Sequence, residues 1–206
     1  MDVKPPMTMM DFFRKSEGVW YSKRTVHHFD TSGVEQSGDS NIIIQVLDKD
    51  DPRIIEVCKA QNVDPDLAVG GATFLWQDNL DELNPDSKWA AILVDIPDKD
   101  DKTRGRFLRN RGYVEGIPVV CQYSFAPDGV LTIVTEYEKN QGIERCWFVT
   151  DDFRVRVSTV KMMNGVNLMT YCSERRCVPE AQLKAMVSQY IPASTGQLST
   201  VSPGSN

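Results

Sequence analysis

Arg154 and Arg156 stand in the run Phe153-Arg154-Val155-Arg156-Val157-Ser158-Thr159-Val160, which alternates as a β-strand does. Arg154, Arg156 and Ser158 share one face, and Phe153, Val155 and Val157 share the other. Two arrangements fit. Valines inside leave the arginines in water. The reverse aims two guanidiniums inward, where they can fork onto carboxylates. That second arrangement costs several kcal/mol of hydration for each guanidinium unless it is paired. Glu144, in Glu144-Arg145-Cys146-Trp147-Phe148-Val149, and Glu174, in Thr170-Tyr171-Cys172-Ser173-Glu174-Arg175-Arg176, are the carboxylates at hand. An anionic cargo would serve as well, at roughly 1.5–3 kcal/mol per charge-assisted bond.

Hairpin parity decides which side chains meet the arginines. A three-residue loop, Thr150-Asp151-Asp152, puts Glu144, Cys146 and Phe148 on the face of Arg154 and Arg156, whereas a two-residue loop puts Arg145 and Trp147 there. A strict two-residue Asn164-Gly165 turn aligns Tyr171 and Ser173 with the arginines. Glu174 joins them only if that loop is odd or a bulge intervenes.

Other chemistry has less support. No Gly-x-Gly-x-x-Gly or Walker loop is present, so nucleotide binding has no basis. His27 and His28 are neighbours on a strand pattern, point to opposite faces and cannot share one metal. Asp48-Lys49-Asp50-Asp51 and Asp98-Lys99-Asp100-Asp101 lack the glycine and closing Glu of a calcium loop, and read as solvated turns. No metal site is expected. A Cys146–His pairing is conceivable, but nothing in the spacing favours a nucleophilic constellation.

The formal charge of −6 argues against a partner that is nucleic acid or a membrane surface. No run approaches the roughly 18 apolar residues of a membrane span, and Met1-Asp2-Val3-Lys4-Pro5-Pro6 lacks an apolar signal core. Five cysteines are an odd number without metal-type spacing and read as free thiols of a reducing compartment. The expectation is a soluble intracellular domain.

Positioning these residues falls to β-structure. Thr8 can cap a short helix carrying Met9, Met10, Phe12 and Phe13, which Gly18 ends. Period-two strands then follow: Trp20–Phe29, Ser40–Leu47, Gly71–Trp76, Trp89–Ile96, Gly105–Glu115, Val119–Phe125, Val130–Glu138, Glu144–Val149, Phe153–Val160 and Leu168–Glu174. Asp128-Gly129 and Asn164-Gly165 are the strongest turns. One helix is predicted within Asp51–Asn62. Residues 1–178 form the β-domain on this reading, and 179–206 a short helix to about Tyr190 with a disordered tail. Such a chain closes as a barrel or stacks as a sandwich. Gly18-Val19-Trp20 favours the barrel, since it resembles the calycin pattern in which a Trp closes one barrel end. In that pattern an Arg of the last strand packs across the indole; Arg175 or Arg176 stands where it is needed.

Taken together the chain resembles the S-type phycobiliprotein lyases. The matching pieces are Phe12-Phe13, Ser16-Glu17-Gly18-Val19-Trp20, Arg24-Thr25 and His27-His28, then Glu144-Arg145-Cys146-Trp147-Phe148, Arg154-Val155-Arg156 and Tyr171-Cys172-Ser173-Glu174-Arg175-Arg176. The resemblance implies an all-β, closed antiparallel lipocalin-like barrel of about ten strands. It implies non-covalent binding of a phycobilin, phycoerythrobilin or phycocyanobilin, as substrate and not cofactor. The bilin then passes to a cysteine of a phycobiliprotein α or β subunit. On this resemblance Arg154 and Arg156 hold the propionates with Ser158 beside them, and Glu144 and Glu174 meet the pyrrole N–H groups. Trp76 and Phe74 wall the cavity, a core role for Trp76 being equally open. The nucleophile is the acceptor's thiolate, so no cysteine of this chain is expected to be catalytic. Cyanobacterial cytoplasm or plastid stroma, and a homodimer, fit as well. A non-enzymatic carrier of bilin, haem or fatty acid accounts for the same charges, and a regulatory binding module stays open.

Overall fold

The chain enters its first element at Thr8, whose hydroxyl accepts the Asp11 amide at 3.2 Å while the Asp11 carboxylate accepts the Thr8 amide at 3.1 Å. This box opens helix α1, Met9–Ser16. Its apolar side, Met9, Met10, Phe12 and Phe13, is buried. The computed structural model describes residues 6–29, 35–77, 90–112, 116–162 and 165–177. After α1 come β1 (Gly18–His28), β2 (Glu35–Asp48), α2 (Pro52–Ala60), a 3₁₀ turn (Pro65–Leu67), β3 (Gly70–Gln77), β4 (Ala90–Pro97) and β5 (Arg104–Arg109). Then follow β6 (Val119–Phe125), β7 (Leu131–Glu136), β8 (Asn140–Thr150), β9 (Phe153–Met162) and β10 (Gly165–Arg176).

All ten strands pair antiparallel with their neighbours in sequence, and β10 returns to pair with β1, so the sheet is a closed barrel without free edges. α1 stops one end. Trp20, fully buried, packs above it and donates its indole N–H to the Ser16 carbonyl at 2.7 Å. Of the two arginines expected near this indole, Arg176 takes the place, its guanidinium 4.4 Å from the ring centroid, while Arg175 lies over Tyr21. Arg176 also donates to the carbonyls of Lys15 and Glu17 and, at 2.9 Å, to Asp152. It thereby ties the end of β10 to the end of α1. Gly18, at φ +117°, leaves room for this: a Cβ there would stand 3.2 Å from Arg176 Nη1.

Strand β4 is buried on both faces. Ala91, Leu93 and Asp95 point inward; Val94 and Ile96 point outward against Ile54, Val57 and Cys58 of α2. Each such aliphatic burial is worth roughly 1.5–3 kcal/mol. Gly71 sits beneath α2, and a Cβ there would fall 2.2 Å from the Leu93 carbonyl and 2.6 Å from Ile54. Asp95 is the exception in this apolar strand. Its carboxyl accepts the Tyr123 hydroxyl at 2.8 Å, and burial pushes it up to about 7.

The strands differ from the sequence expectation mainly in length. β2 begins at Glu35 rather than Ser40, because its polar half pairs with β1 as far as His27; backbone pairing requires no apolar side chain. The strand expected over Gly105–Glu115 ends at Arg109, where the Asn110 carboxamide oxygen takes the Ile92 amide at 2.8 Å and turns the chain. β7 likewise stops at Glu136, short of Glu138. Trp89, and the helix and tail expected over 179–206, lie outside the described residues. No helix among the described residues is long and apolar enough to cross a membrane.

Candidate functional site

Parity is resolved in favour of inward arginines. Thr150 stands opposite Phe153, the register shifts once, and then Phe148 faces Arg154, Cys146 faces Arg156 and Glu144 faces Ser158. On the other flank Met162 stands opposite Gly165 and Lys161 opposite Val166, after which the ladder slips at Asn167 so that Leu168 faces Val160. This bulge sets Thr170 against Ser158, Cys172 against Arg156 and Glu174 against Arg154. Without it, Tyr171 and Ser173 would share the arginines' face. Valines 155 and 157 therefore point away from the arginines to the outer side of the sheet, where Val155 is nonetheless buried, and the water-facing arrangement of the arginines does not occur.

The four charges interleave along the inner wall of β8, β9 and β10. Arg154 Nε donates to Glu174 Oε2 at 2.5 Å, and its Nη1 reaches Ser16 Oγ at 2.9 Å. Arg156 donates to Glu174 Oε1 through Nε (3.1 Å) and Nη2 (3.0 Å), and to Glu144 Oε2 through Nη1 (3.1 Å). Ser22 Oγ lies 3.4 Å from Glu174. Arg154 is also stacked on Trp20, 4.7 Å from the ring centroid. Burial alone would push Glu174 up, but the guanidiniums of Arg154 and Arg156 more than offset it and hold the carboxyl below its usual range.

Exposure divides the four into two pairs. Glu174 is 0 % and Arg154 2 % exposed; Glu174 is withdrawn behind the wall, whereas Arg154, though closed off from solvent, still lines the pocket. The side chains of Arg156 and Glu144 remain 18 % and 22 % exposed and face the space within the barrel. That pocket is floored by Met9, Phe12 and Phe13 of α1. Phe74 and Trp76 line it, stacked on each other with centroids 6.1 Å apart and planes at 25°. Leu131 and Ile133 add an aliphatic side. Ser158 shares the arginines' face, opposite Glu144 and Thr170, but does not line this pocket.

Cys146 lines the pocket fully buried, and burial pushes its thiol up to about 12. Burial also raises the thiols of Cys172 and Cys121. These sulfurs stay protonated at neutral pH, and such thiols are poor nucleophiles. Among the described residues, no three His, Cys, Asp or Glu side chains gather as a metal site would require.

The sequence reading missed Ser16 and Arg109. Ser16 closes α1 and meets Arg154 only through a tertiary contact, which no local pattern encodes. Arg109 was legible: it follows inward Phe107 by two residues on one strand, and it lines the pocket. As a whole the site offers a flat apolar slot, carboxylate acceptors for N–H donors, and guanidiniums for carboxylates.

A sequence model of the CpeS-like protein family matches residues 8–177. The chain is 66 % identical over 189 residues to chromophore lyase CpcS/CpeS 4 of Trichodesmium erythraeum, covering 92 % of this chain and 97 % of that protein. It is 43 % identical to chromophore lyase CpcS/CpeS of Synechococcus sp. WH8020, covering 90 % and 92 %. To the phycocyanobilin lyase subunit CpcS of Picosynechococcus sp. PCC 7002 it is 40 % identical, covering 81 % and 84 %. The solved S-type phycobiliprotein lyase CpeS of Guillardia theta superposes with a TM-score of 0.68 at 28 % identity, covering 85 % of this chain and 96 % of that one.

Proposed function

This chain belongs to the CpeS-like family and is a chromophore lyase, and from that premise we propose how its barrel handles the bilin. The tetrapyrrole lies in the slot between Trp76 and Phe74 on one side and the charged wall on the other. Glu144 accepts pyrrole N–H groups, and Arg156 takes a propionate. Glu174 acts from behind by fixing the Arg156 guanidinium, Arg154 holds Glu174 in turn from the pocket's edge, and Ser158 stands opposite Glu144 across the strand pair. A carboxylate beside the pyrrole nitrogens favours the protonated, more electrophilic bilin. The acceptor's cysteine thiolate then adds to the ethylidene carbon of ring A, the proton ends on the neighbouring ring carbon, and a thioether forms. The lyase contributes orientation and a dry cavity that suppresses indiscriminate thiol addition.

The observation that carries this reading is the buried alternation Glu144–Arg156–Glu174–Arg154 facing an aromatic slot. On this reading the protein works in a cyanobacterial cytoplasm or a plastid stroma as a homodimer, needs no bound cofactor, and serves a phycobiliprotein α or β subunit. The test is an absorption titration of the purified protein with phycocyanobilin and phycoerythrobilin, followed by addition of an apo phycobiliprotein subunit. A red-shifted, sharpened band that becomes covalently attached to the subunit is expected. A bound bilin that never reaches the subunit's cysteine would make the barrel a carrier, and no spectral change with either bilin would sink the proposal.

A further inference from the structure

We infer that Arg24 is a second carboxylate anchor inside the barrel, holding from the β1 side the bilin propionate that Arg156 does not take; the inference rests on the bilin-binding reading above. Register turns this side chain inward. Ser22 and Trp20 precede it at period-two spacing on β1, and both are buried within the barrel, Ser22 against Glu174. Arg24 stands opposite Cys172, whose buried sulfur lies 3.5 Å from Arg156 Nη2. The charge of Arg24 acts on this thiol, so the guanidinium lies over the interior and not out beyond the rim. Arg24 is exposed all the same, because it lies towards the end of the barrel away from α1, where β2 residues Glu35 to Asp39 are exposed as well.

Arg24 has both the charge and the room to take a ligand. Arg154, Arg156 and Arg176 are each bound to carboxylates of the chain. Arg24, among the described residues, makes no hydrogen bond and no ion pair. The carboxylates nearest it in register are engaged elsewhere. Glu174 lies one step deeper, held by Arg154 and Arg156, and Asp39 faces the outer side, where it accepts the Tyr21 hydroxyl at 2.5 Å. Across β2 from Arg24 stands Gly38, where a Cβ would meet nothing within 4 Å. Cys172 separates Arg24 on β1 from Arg156 on β9, so their Cα atoms are two strand spacings, about 10 Å, apart. Long side chains can close that separation to the spacing of the two propionates, which hang from a bilin's adjacent central rings. One anchored propionate leaves the ligand free to pivot, and a second fixes it. Arg is suited to this, since its planar fork binds a carboxylate bidentately. At an open position it also stays charged without a standing counter-ion.

The experiment titrates wild type, Arg24→Lys, Arg24→Gln and Arg24→Glu with phycocyanobilin and with its dimethyl ester, following the bilin absorption band, alongside thermal melts to establish folding. Free-acid affinity should fall in that order, by about three- to tenfold at Arg24→Gln, as for one solvent-screened charge pair, and further at Arg24→Glu. The diester should behave alike with all four proteins. Free-acid affinity unchanged in Arg24→Gln would overturn the inference, because the arginine would then be merely solvated. Equal loss for acid and diester would also overturn it, because the residue would then act through packing. Wild type binding neither compound would instead sink the bilin-binding reading itself, and the inference with it.

Discussion

Replacing Glu174 by Gln should be among the most damaging single changes in this protein. The carboxylate is fully buried and takes four hydrogen bonds, from Arg154 at 2.5 Å, twice from Arg156 at 3.0 and 3.1 Å, and from Ser22 at 3.4 Å. Glutamine keeps the shape but removes the charge and turns one acceptor into a donor. Arg154, itself 2 % exposed, would then be a buried cation without its carboxylate, left with neutral acceptors such as Ser16 and the face of Trp20. Breaking a buried pair on one side costs about 3–5 kcal/mol. At about 2–4 °C per kcal/mol for a domain of this size, Tm should drop by roughly 6–20 °C. Urea and thermal unfolding at pH 7.5 measure this directly. A cycle with Arg154→Met completes it: the double variant should be more stable than the two single losses added together predict, since neither partner is then left alone. The pH dependence has a definite sign. Glu174 is depressed in the folded state, so its contribution is present above its ordinary value of 4.5 and is lost as pH falls from there through the folded value. Wild type should thus converge on Glu174→Gln in acid. A Glu174→Gln protein within about 1 kcal/mol of wild type at pH 7.5 would refute the claim that this ion network is coupled and dry.

Asp95 should behave in the opposite sense. With its folded value raised to about 7 from 3.8, the buried carboxyl favours folding while protonated and costs stability as pH rises between these values. Asp95→Asn should match wild type near pH 4 and exceed it at pH 8.5 by up to about 4 kcal/mol, read from urea midpoints. Cys146→Ser and Cys172→Ser, separately or together, should retain bilin transfer within about threefold, while each loses about 1–3 kcal/mol for a hydroxyl in a dry site; loss of transfer with bilin binding intact would contradict the assignment of the nucleophile to the acceptor. Arg176→Ala should lower stability by about 1–3 kcal/mol through the lost bonds to the carbonyls of Lys15 and Glu17, and faster hydrogen exchange should be confined to α1 and the start of β1.

Much of this architecture could be read from the chain alone, because barrel strands repeat a simple rule. Period-two alternation grouped Arg154, Arg156 and Ser158 on one face but left its direction open, hairpin parity left either Glu144–Cys146–Phe148 or Arg145–Trp147 beside it, and the Gly18-Val19-Trp20 entry pointed to the closed end. The family resemblance in the charged C-terminal strands agrees with the family that residues 8–177 match. Strand ends were read less well, since Glu35–Asp39 pair through backbone groups that carry no apolar signature and Asn110 ends β5 with its side chain. Glu174 could not be assigned a side, for its orientation hangs on one extra residue whose presence leaves no mark in residue type. Nor did the sequence separate Arg154 from Arg156. The two look identical on a strand, yet their exposure differs because Arg154 packs against Trp20 and Ser16 while Arg156 reaches across to the part-exposed Glu144.

The slip at Asn167 bears on how such a chain can evolve. Loss of that one residue would only regularise the hairpin, since Val166 would still stand opposite Lys161 and Leu168 opposite Val160, and Cys172 and Glu174 would stay inside. Pairing Asn167 regularly with Val160 would instead turn Tyr171 and Ser173 inward while leaving every amino acid of β10 unchanged in kind. A substitution tally across descendants would miss this constraint, because what selection guards at this hairpin is a register.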